Sequence, residues 1–589
     1  MKTLIIAEKK TVGEAIAAAI GVKNRHAGYM DGNHYIVSWC QGHLISFCKP
    51  DDYDKRYHVW SMDDLPIIPS DWKTEILAKT EKQFRILKGL MNDSAVHEII
   101  CATDAGREGE LIFRLVYDKT KCRKSVKRLW VNSIEEEAIR NGMENLKPAL
   151  EYDGLYLAAL CRAKADWLIG MNLSRLFSLK YDNRLTIGRV QSPTVNLIVQ
   201  RDKEIHEFSP QFYRLITADT GGLKLQMRVE TEAEANAICE VCIGQNAVIT
   251  SVESKNGQSR PPRLYNLTDI QRDANRIYGY SAQKTLDTIQ SLYEKKLCTY
   301  PRTDSRYLPH EMHFQTARLI EQLMDTPNLL PDRFRKSFPM QFLETDRLIC
   351  DEKITDHHAL VPTASVISED LSELSEAQHN LLYLMVCRLI LAAAPPQEFR
   401  THTIKADIAG YAFETKLKEI TKRGWKDLYS VLFGKPAEEN EPEEVSSIPK
   451  QNDSYPVINL LNEPKQTAPP KPFTEDTLLA AMEHAGKSIE DAELRSAIRD
   501  CGLGTPATRA GTIESIIRTG YVKRQGKTLL STEKGMQLIA ILDDRITSPE
   551  LTAHWEQMLS LIQNGSYPPE QFLDEIISYI KEVQQEVLK

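Results

Sequence analysis

VHEIICATDAGREGELIFRLVY, residues 96–117, decides the fold class. Its first eight residues form a mostly apolar run of strand length. Asp-Ala-Gly makes a tight turn, and from Arg107 the apolar residues recur at helical spacing. A strand that is apolar rather than alternating is buried on both faces, the mark of a parallel sheet covered by helices. Neighbouring segments repeat the unit. KTLIIA (2–7) reads as a buried strand, followed by the helix VGEAIAAAI, capped by Thr11 and stopped by Gly21. RLWVN (128–132) gives a third strand, with Ser133 and Glu136 as a capping box for the next helix. Residues 1–150 are therefore expected to form an α/β domain with a mostly parallel sheet.

Beyond it the pattern changes several times. Residues 151–209 are helical, 210–256 hold short alternating strands, and helices return at 268–296, 310–325 and 376–394. Residues 398–430 are again read as strands. PAEENEPEEVSSIP (436–449) is acidic and rich in Pro and Ser, the composition of a loop. Strand-like VINLLNE follows, and residues 473–589 are mostly helical. Similar segments thus lie far apart, and nested domains are the economical explanation. The expected division is 1–150; 151–209 with 471–589; 210–267 with 398–470; and 268–397. No internal repeat is visible.

Composition bounds the function. A chain of 589 residues makes roughly three to five domains. Hydrophobic residues are 42% and charged residues 26%, the balance of a soluble globular protein, and no apolar run is long enough to span a membrane. The chain opens directly on a strand, without a signal-peptide core. Cys239 and Cys242 form a CxxC with no second pair nearby, so a structural zinc site is not indicated. A net charge of −8 argues against a uniformly basic coat but leaves room for a basic groove.

Three acids fall where a parallel sheet places its ligands, at the carboxyl ends of the strands. Glu8 ends the first strand, Asp104 the second, and Glu108 lies one helical turn beyond Asp104. Converging carboxylates make an oxygen-ligand site for magnesium, and Lys9 and Arg107 add phosphate-binding charge beside them. The plainer alternative is helix-terminus acids facing solvent. A second constellation is CTYPRTDSRYLP (298–309). Pro301 keeps Tyr300 extended, and Arg302 is placed to favour the phenolate and to clamp a phosphate. The plainer alternative is a structural Tyr and Arg in a turn.

Taken together, these segments resemble the type IA DNA topoisomerases and, among them, the bacterial topoisomerase III branch. LIIAEK and DAGREGE (104–110) look like the two signatures of that family's toprim domain, and CTYPRTDSRYLP like its active-site tyrosine segment. TIGRVQSPTVNLIVQRDKEI (186–205), TDHHALVPT (355–363), GLGTPATRAGTIESIIRTGYV (502–522) and SPELTAHWE (548–556) resemble its remaining motifs, in order along the chain. The resemblance implies a multidomain α/β and α+β toroid: an N-terminal toprim domain, a helical DNA-groove domain, a β-rich arch and a helical tyrosine-bearing domain. It implies cleavage of one strand through a 5′-phosphotyrosine, strand passage and resealing without ATP, and no GxxxxGK[ST] loop occurs.

Roles follow residue by residue from the resemblance. Tyr300 is the nucleophile, and Arg302 positions the scissile phosphate. Glu8 protonates the leaving 3′ oxygen and takes the proton back on resealing; Lys9 and His357 contact phosphate. Asp104, Glu108 and Glu8 hold magnesium. Arg162, Arg189, Gln191, Ser192 and Thr194 on one side and Thr505, Thr508 and Arg509 on the other line the DNA groove. Between Arg162 and Arg201 seven Lys or Arg face two Asp, a local excess of +5 suited to backbone phosphates. The implied partner is single-stranded or underwound DNA, with a helicase or single-strand-binding protein acting beside a monomer in the cytoplasm, at the nucleoid.

Two departures stand out. Gly106 occupies a position that is commonly acidic in the family, which removes either a potential magnesium ligand or an acid supporting the ligands. Family members often continue into cysteine-rich modules or basic tails; here the last cysteine is Cys501 and the sequence ends KEVQQEVLK, as expected either of a protein that stops at the toroid or of a shortened chain. The competing readings are a first-kind relaxing enzyme of the same class, a toprim nuclease or primase, and a noncatalytic single-strand-binding module.

Overall fold

The computed structural model of the chain describes every residue except 132, 133, 135, 328, 332, 333, 335–342, 355, 356, 435–446 and 489–501. Its N-terminal part is built on a seven-stranded sheet. In spatial order the strands are Asn24–His26, Tyr29–Asp31, Tyr35–Trp39, Lys2–Ala7, Val96–Ala102, Ser125–Arg128 and Lys147–Pro148. The four central strands run parallel, with Ile5 opposite Val37 on one side and Ile100 on the other. Leu4, Ile5 and Ile6 are wholly buried, as a strand covered on both faces requires.

Local details differ from the sequence reading at two places. The helix after the first strand is Lys10–Ala19, and its N-cap is Lys9, not Thr11. The chain turns into the helix immediately after Glu8, which holds that acid at the sheet edge. Gly21, at φ +75°, ends the turn that stops the helix. The third strand is Ser125–Arg128, earlier than expected. After Leu129, whose N–H still bonds Cys101 O at 2.9 Å, the chain leaves the sheet and Trp130 stacks on Tyr152. Ser133 of the expected capping box lies outside the described residues.

A second seven-stranded sheet is antiparallel throughout. Its order is Ser454–Pro456, Asn246–Ser259, Gln397–Ile408, Tyr411–Lys422, Lys224–Val229, Phe212–Asp219 and Asn459–Gln466. Strands from two distant stretches of chain therefore interleave in one sheet. Helix Glu232–Cys242 packs Ala235, Ile238 and Cys242 onto it, and the Cys242 thiol bonds Ile408 O. The stretch 398–430 is not strand to its end: Trp425–Phe433 is a helix, since Trp425, Leu428 and Leu432 recur at helical spacing. Most of the acidic 436–449 segment lies outside the described residues.

The helical parts share one large core. Helix Asp153–Lys180 is its spine and packs against Pro549–Gln563 and Pro569–Leu588. Gly154 permits the crossing, because a Cβ there would lie 2.0 Å from Gln563 O. Helices Leu267–Tyr278, Ala282–Glu294 and Glu376–Ala393 carry the tyrosine segment between them. Among the described residues no helix is long and apolar enough to cross a membrane.

Candidate active site

The acidic edge is shaped by one close approach. Helix Arg107–Thr120 folds back on the turn before it so tightly that a Cβ on Gly109 would meet Asp104 O at 2.0 Å. Thr103 Oγ1 donates to Gly109 O at 2.8 Å and locks the turn. Arg128, wholly buried, donates to the carbonyls of Cys101, Thr103 and Asp104 and pairs with Glu110 at 2.7 Å. Glu110 therefore faces into the domain, away from the edge. Gly106 begins the helix at φ 154° and ψ 174°, a backbone region essentially confined to glycine.

Glu8 and Asp104 meet at this edge. The Asp104 N–H donates to Glu8 Oε2 at 3.3 Å. Burial, with the Asp104 charge adding to it, pushes the Glu8 carboxyl up to about 8. Glu108 instead turns to His43 Nε2. Partial enclosure opposes its ionisation, but the His43 bond and the charges of Arg162 and Arg302 hold it below the usual carboxylate range. Among the described residues no three His, Cys, Asp or Glu side chains close on one point as a metal cage would. The donor chemistry, carboxylate oxygens alone, fits a hard cation such as magnesium.

Tyr300 reaches this edge from the far part of the chain. Its segment is clamped to residues 359–362: Thr299 N–H bonds Val361 O at 3.0 Å, Thr299 Oγ1 donates to Ala359 O at 3.1 Å, and Cys298 bridges Pro362. The Tyr300 ring is 7% exposed, lies edge-on to Tyr293 at 5.5 Å and leans on His357 at 4.4 Å. Its hydroxyl donates to Asp104 Oδ2. Burial, then the charges of Asp104 and Glu8, raise the phenol well above its ordinary value, against the pull of Arg302. His357 is pushed down to about 4, chiefly by burial, and is neutral near pH 7. Its Nδ1 is buried without a hydrogen-bond partner among the described residues. Arg302 is exposed, and its charge acts on Glu8, Glu108 and Tyr300. Lys9 is half-buried beside Glu8 and lowers its proton affinity. The sequence-predicted residues Glu8, Lys9, Asp104, Tyr300, Arg302 and His357 thus come together; Glu108 stands at the same edge but is turned aside.

The residues expected to contact DNA divide differently. Arg189, 7% exposed, pairs with Asp166 at 3.1 Å and Glu556 at 3.3 Å and covers the Trp555 ring. Arg162 pairs with Glu556 at 2.6 Å, leaving its Nε buried without a partner among the described residues. Ser192 and Thr194 are wholly buried and serve the helix start, Ser192 Oγ accepting from Gly188 N–H and Thr194 Oγ1 donating to Val190 O. Gln191 is half-buried, with an unpartnered Nε2 among the described residues. Thr505 and Thr508 cap helix Pro506–Arg518, and Arg509, 1% exposed, bonds Thr268 Oγ1 at 2.7 Å. Arg175 and Arg201 are likewise engaged, over Trp60 and Phe473. Much of the +5 segment is therefore spent inside the protein.

Glu556 is the residue that sequence reasoning passed over. It sits within a quoted motif, yet nothing in its spacing marks it. In the structure it gathers Arg107, Arg162 and Arg189, at 3.4, 2.6 and 3.3 Å. It thereby ties the acidic edge, through Arg107, to the helical core.

Comparison with known proteins bears on the whole chain. Residues 3–134 match the Toprim domain, and residues 151–574 match the family described as DNA topoisomerase. The chain belongs to the type IA DNA topoisomerases. DNA topoisomerase 3 of Staphylococcus saprophyticus is 36% identical over 595 residues, covering 100% of this chain and 82% of the relative. DNA topoisomerase 3 of Bacillus licheniformis is 35% identical over 600 residues, again covering 100% and 82%. Full-length topoisomerase I from Thermotoga maritima shares the fold, with a TM-score of 0.75 at 22% identity over 98% of this chain and 90% of that one. This topoisomerase is thus an isomerase that binds single-stranded DNA, cleaves one strand and passes DNA through the break.

Proposed function

We propose that this topoisomerase works as a topoisomerase III, unlinking single-stranded and underwound DNA, with Tyr300 as its nucleophile. The observation that carries the reading is the Tyr300 hydroxyl lodged on Asp104 beside Glu8, between two parts of the chain that must separate for DNA to pass. The phenolic oxygen attacks the scissile phosphorus, and its proton passes to Asp104 Oδ2, where the hydrogen bond already points. The bond from phosphorus to the 3′ oxygen breaks, and Glu8, which burial keeps protonated near neutral pH, supplies the proton that oxygen needs. Arg302 and Lys9 offset the charge on the phosphate, and the neutral His357 offers a hydrogen bond from the tyrosine side. Resealing reverses each transfer, so no ATP is consumed.

Asp104, Glu108 and, once it has given up its proton, Glu8 would hold magnesium, Glu108 after leaving His43; bound there, the ion supplies positive charge for aligning the 3′ oxygen on the phosphotyrosine. The division into a toprim domain (1–150), a groove domain (151–209, 471–589), an arch (210–267, 398–470) and a tyrosine-bearing domain (268–397) accounts for the gate. The antiparallel sheet flexes while the first and last of these part. Arg162 and Gln191, each with a buried nitrogen that has no partner among the described residues, are the better groove contacts; Arg189, Ser192, Thr194 and Arg509 shape the groove from behind. A monomer acting at the nucleoid with a helicase or single-strand-binding protein completes the reading. The test compares linked gapped circles with negatively supercoiled plasmid on gels. Faster unlinking of the circles is expected; preferential relaxation of the plasmid would place the enzyme with the first kind.

A further inference from the structure

A cavity of about 490 Å³ opens on the N-terminal sheet, lined by none of the residues of the tyrosine segment. Lys10, Arg25, Lys79 and Lys82 line it, against one acid, Glu14. Glu14 is taken by Arg25 at 3.2 Å and Lys10 at 4.0 Å. Lys79 and Lys82 are exposed and form no ion pair among the described residues. In a protein of net charge −8 this is a concentration of uncompensated positive charge. The cavity also holds a parallel aromatic pair, His26 on Tyr29, with centroids 4.6 Å apart and planes inclined by 9°. His26 is exposed, so a planar group can continue the stack.

The cavity is built rather than incidental. Gln83, 5% exposed, donates to Gly28 O at 3.0 Å and Trp39 O at 2.7 Å, pinning the turn between the aromatic pair to the cavity wall. Gly28 takes φ +86°, and a Cβ there would lie 2.5 Å from Ile86 Cδ1. Its position is also informative. Trp39 is the register partner of Ala7, the residue before Glu8, and Lys10 follows Glu8 by two positions. The cavity and the acidic edge therefore lie on one carboxyl edge of the same sheet. Lys79 and Lys82 flank the start of helix Glu81–Asn92, which precedes strand Val96–Ala102 and so begins at that edge.

We propose that this cavity binds a nucleotide unit of the DNA strand held at the active site, its base stacked on His26 and Tyr29 and its backbone phosphates on Lys79 and Lys82. Stacking platforms beside cations are how proteins hold single strands without reading sequence. A free nucleotide carries the same chemistry, but the shared edge with Glu8 favours a strand that continues from the reaction centre.

The experiment uses the full chain and oligothymidylates of increasing length in a salt titration. For long strands, Lys79→Ala/Lys82→Ala should reduce the slope of log K against log salt by about 1.4, since each phosphate contact on a single strand contributes about 0.7. Tyr29→Ala should weaken long-strand binding by about tenfold and leave that slope unchanged. Binding and cleavage of the shortest cleavable strands should stay at the parent level in the double variant, which separates this site from the cleavage chemistry. Unchanged affinity and slope for long strands in the double variant would overturn the proposal. So would binding of a nucleoside triphosphate that depends on Lys79 and Lys82 while strand length has no effect.

Discussion

The hydroxyl of Tyr300 donates to the carboxylate of Asp104, a residue 196 positions away in the chain. The nucleophile is thus held by the acid that takes its proton. The closed arrangement is a resting state: the phenol is shielded from solvent and kept protonated until a phosphate reaches it beside Asp104 and Arg302.

Glu8→Gln keeps the shape of the buried site but has no proton to give. Cleavage of a single-stranded oligonucleotide is expected to slow by about 10²–10⁴-fold, the ordinary contribution of a general acid, with strand binding unchanged. A substrate with sulfur in place of the bridging 3′ oxygen needs no proton on departure and should restore the rate. Equal slowing on both substrates would remove Glu8 from the acid role.

Glu556 is 7% exposed and answers three arginines. Glu556→Ala leaves buried positive charge unpaired and should cost about 3–5 kcal/mol, read as a lower midpoint in urea. The same group predicts acid sensitivity. Burial opposes its ionisation, yet Arg162, Arg189 and Arg107 lower its proton affinity below the ordinary carboxylate value. A depressed carboxylate stabilises fully above its unfolded pKa and loses that contribution as pH falls through its folded one. Urea midpoints measured from pH 7 downward should fall less steeply in Glu556→Gln than in the parent.

Gly109→Ala places a Cβ 2.0 Å from Asp104 O and must push the turn away from the sheet edge. Cleavage should fall sharply while circular dichroism and single-strand binding stay near the parent. A fully active alanine variant would show that the turn does not position Asp104.

Removal of divalent cations with chelator should stop plasmid relaxation but spare part of the cleavage, because Arg302 and Lys9 already supply positive charge. Relaxation against magnesium concentration, compared with oligonucleotide cleavage, measures both. Complete relaxation in excess chelator would contradict magnesium at the acidic edge. Gly106→Asp is a poor substitute for this titration, since φ 154° strains any other residue at that position.

Much of this was readable in the chain. The apolar runs at 2–7 and 96–103 are buried strands because covered sheets need them, and the carboxyl-edge rule brings Glu8 and Asp104 together from sequence alone. Less was visible where one residue type serves two ends. Arg189 and Arg509 read as DNA-facing cations, but a guanidinium inside a motif fits a buried acid or carbonyl as well as a phosphate, and only packing decides. Helical spacing groups Glu108 with the other acids, but His43, 65 positions away, draws it aside. The N-cap at Lys9 and the helix at Trp425 depend on where the chain leaves a sheet, which local sequence states weakly.

The most direct test of the account is the covalent intermediate. A single-stranded oligonucleotide labelled at each end in turn is incubated with the enzyme, the reaction is stopped with denaturant, and the adduct is digested for mass spectrometry. The account predicts that only the fragment bearing the new 5′ phosphate is attached, that its peptide carries it on Tyr300, and that Tyr300→Phe forms no adduct while still binding the strand. An adduct in the phenylalanine variant, or attachment at another residue or through a 3′ phosphate, would contradict it.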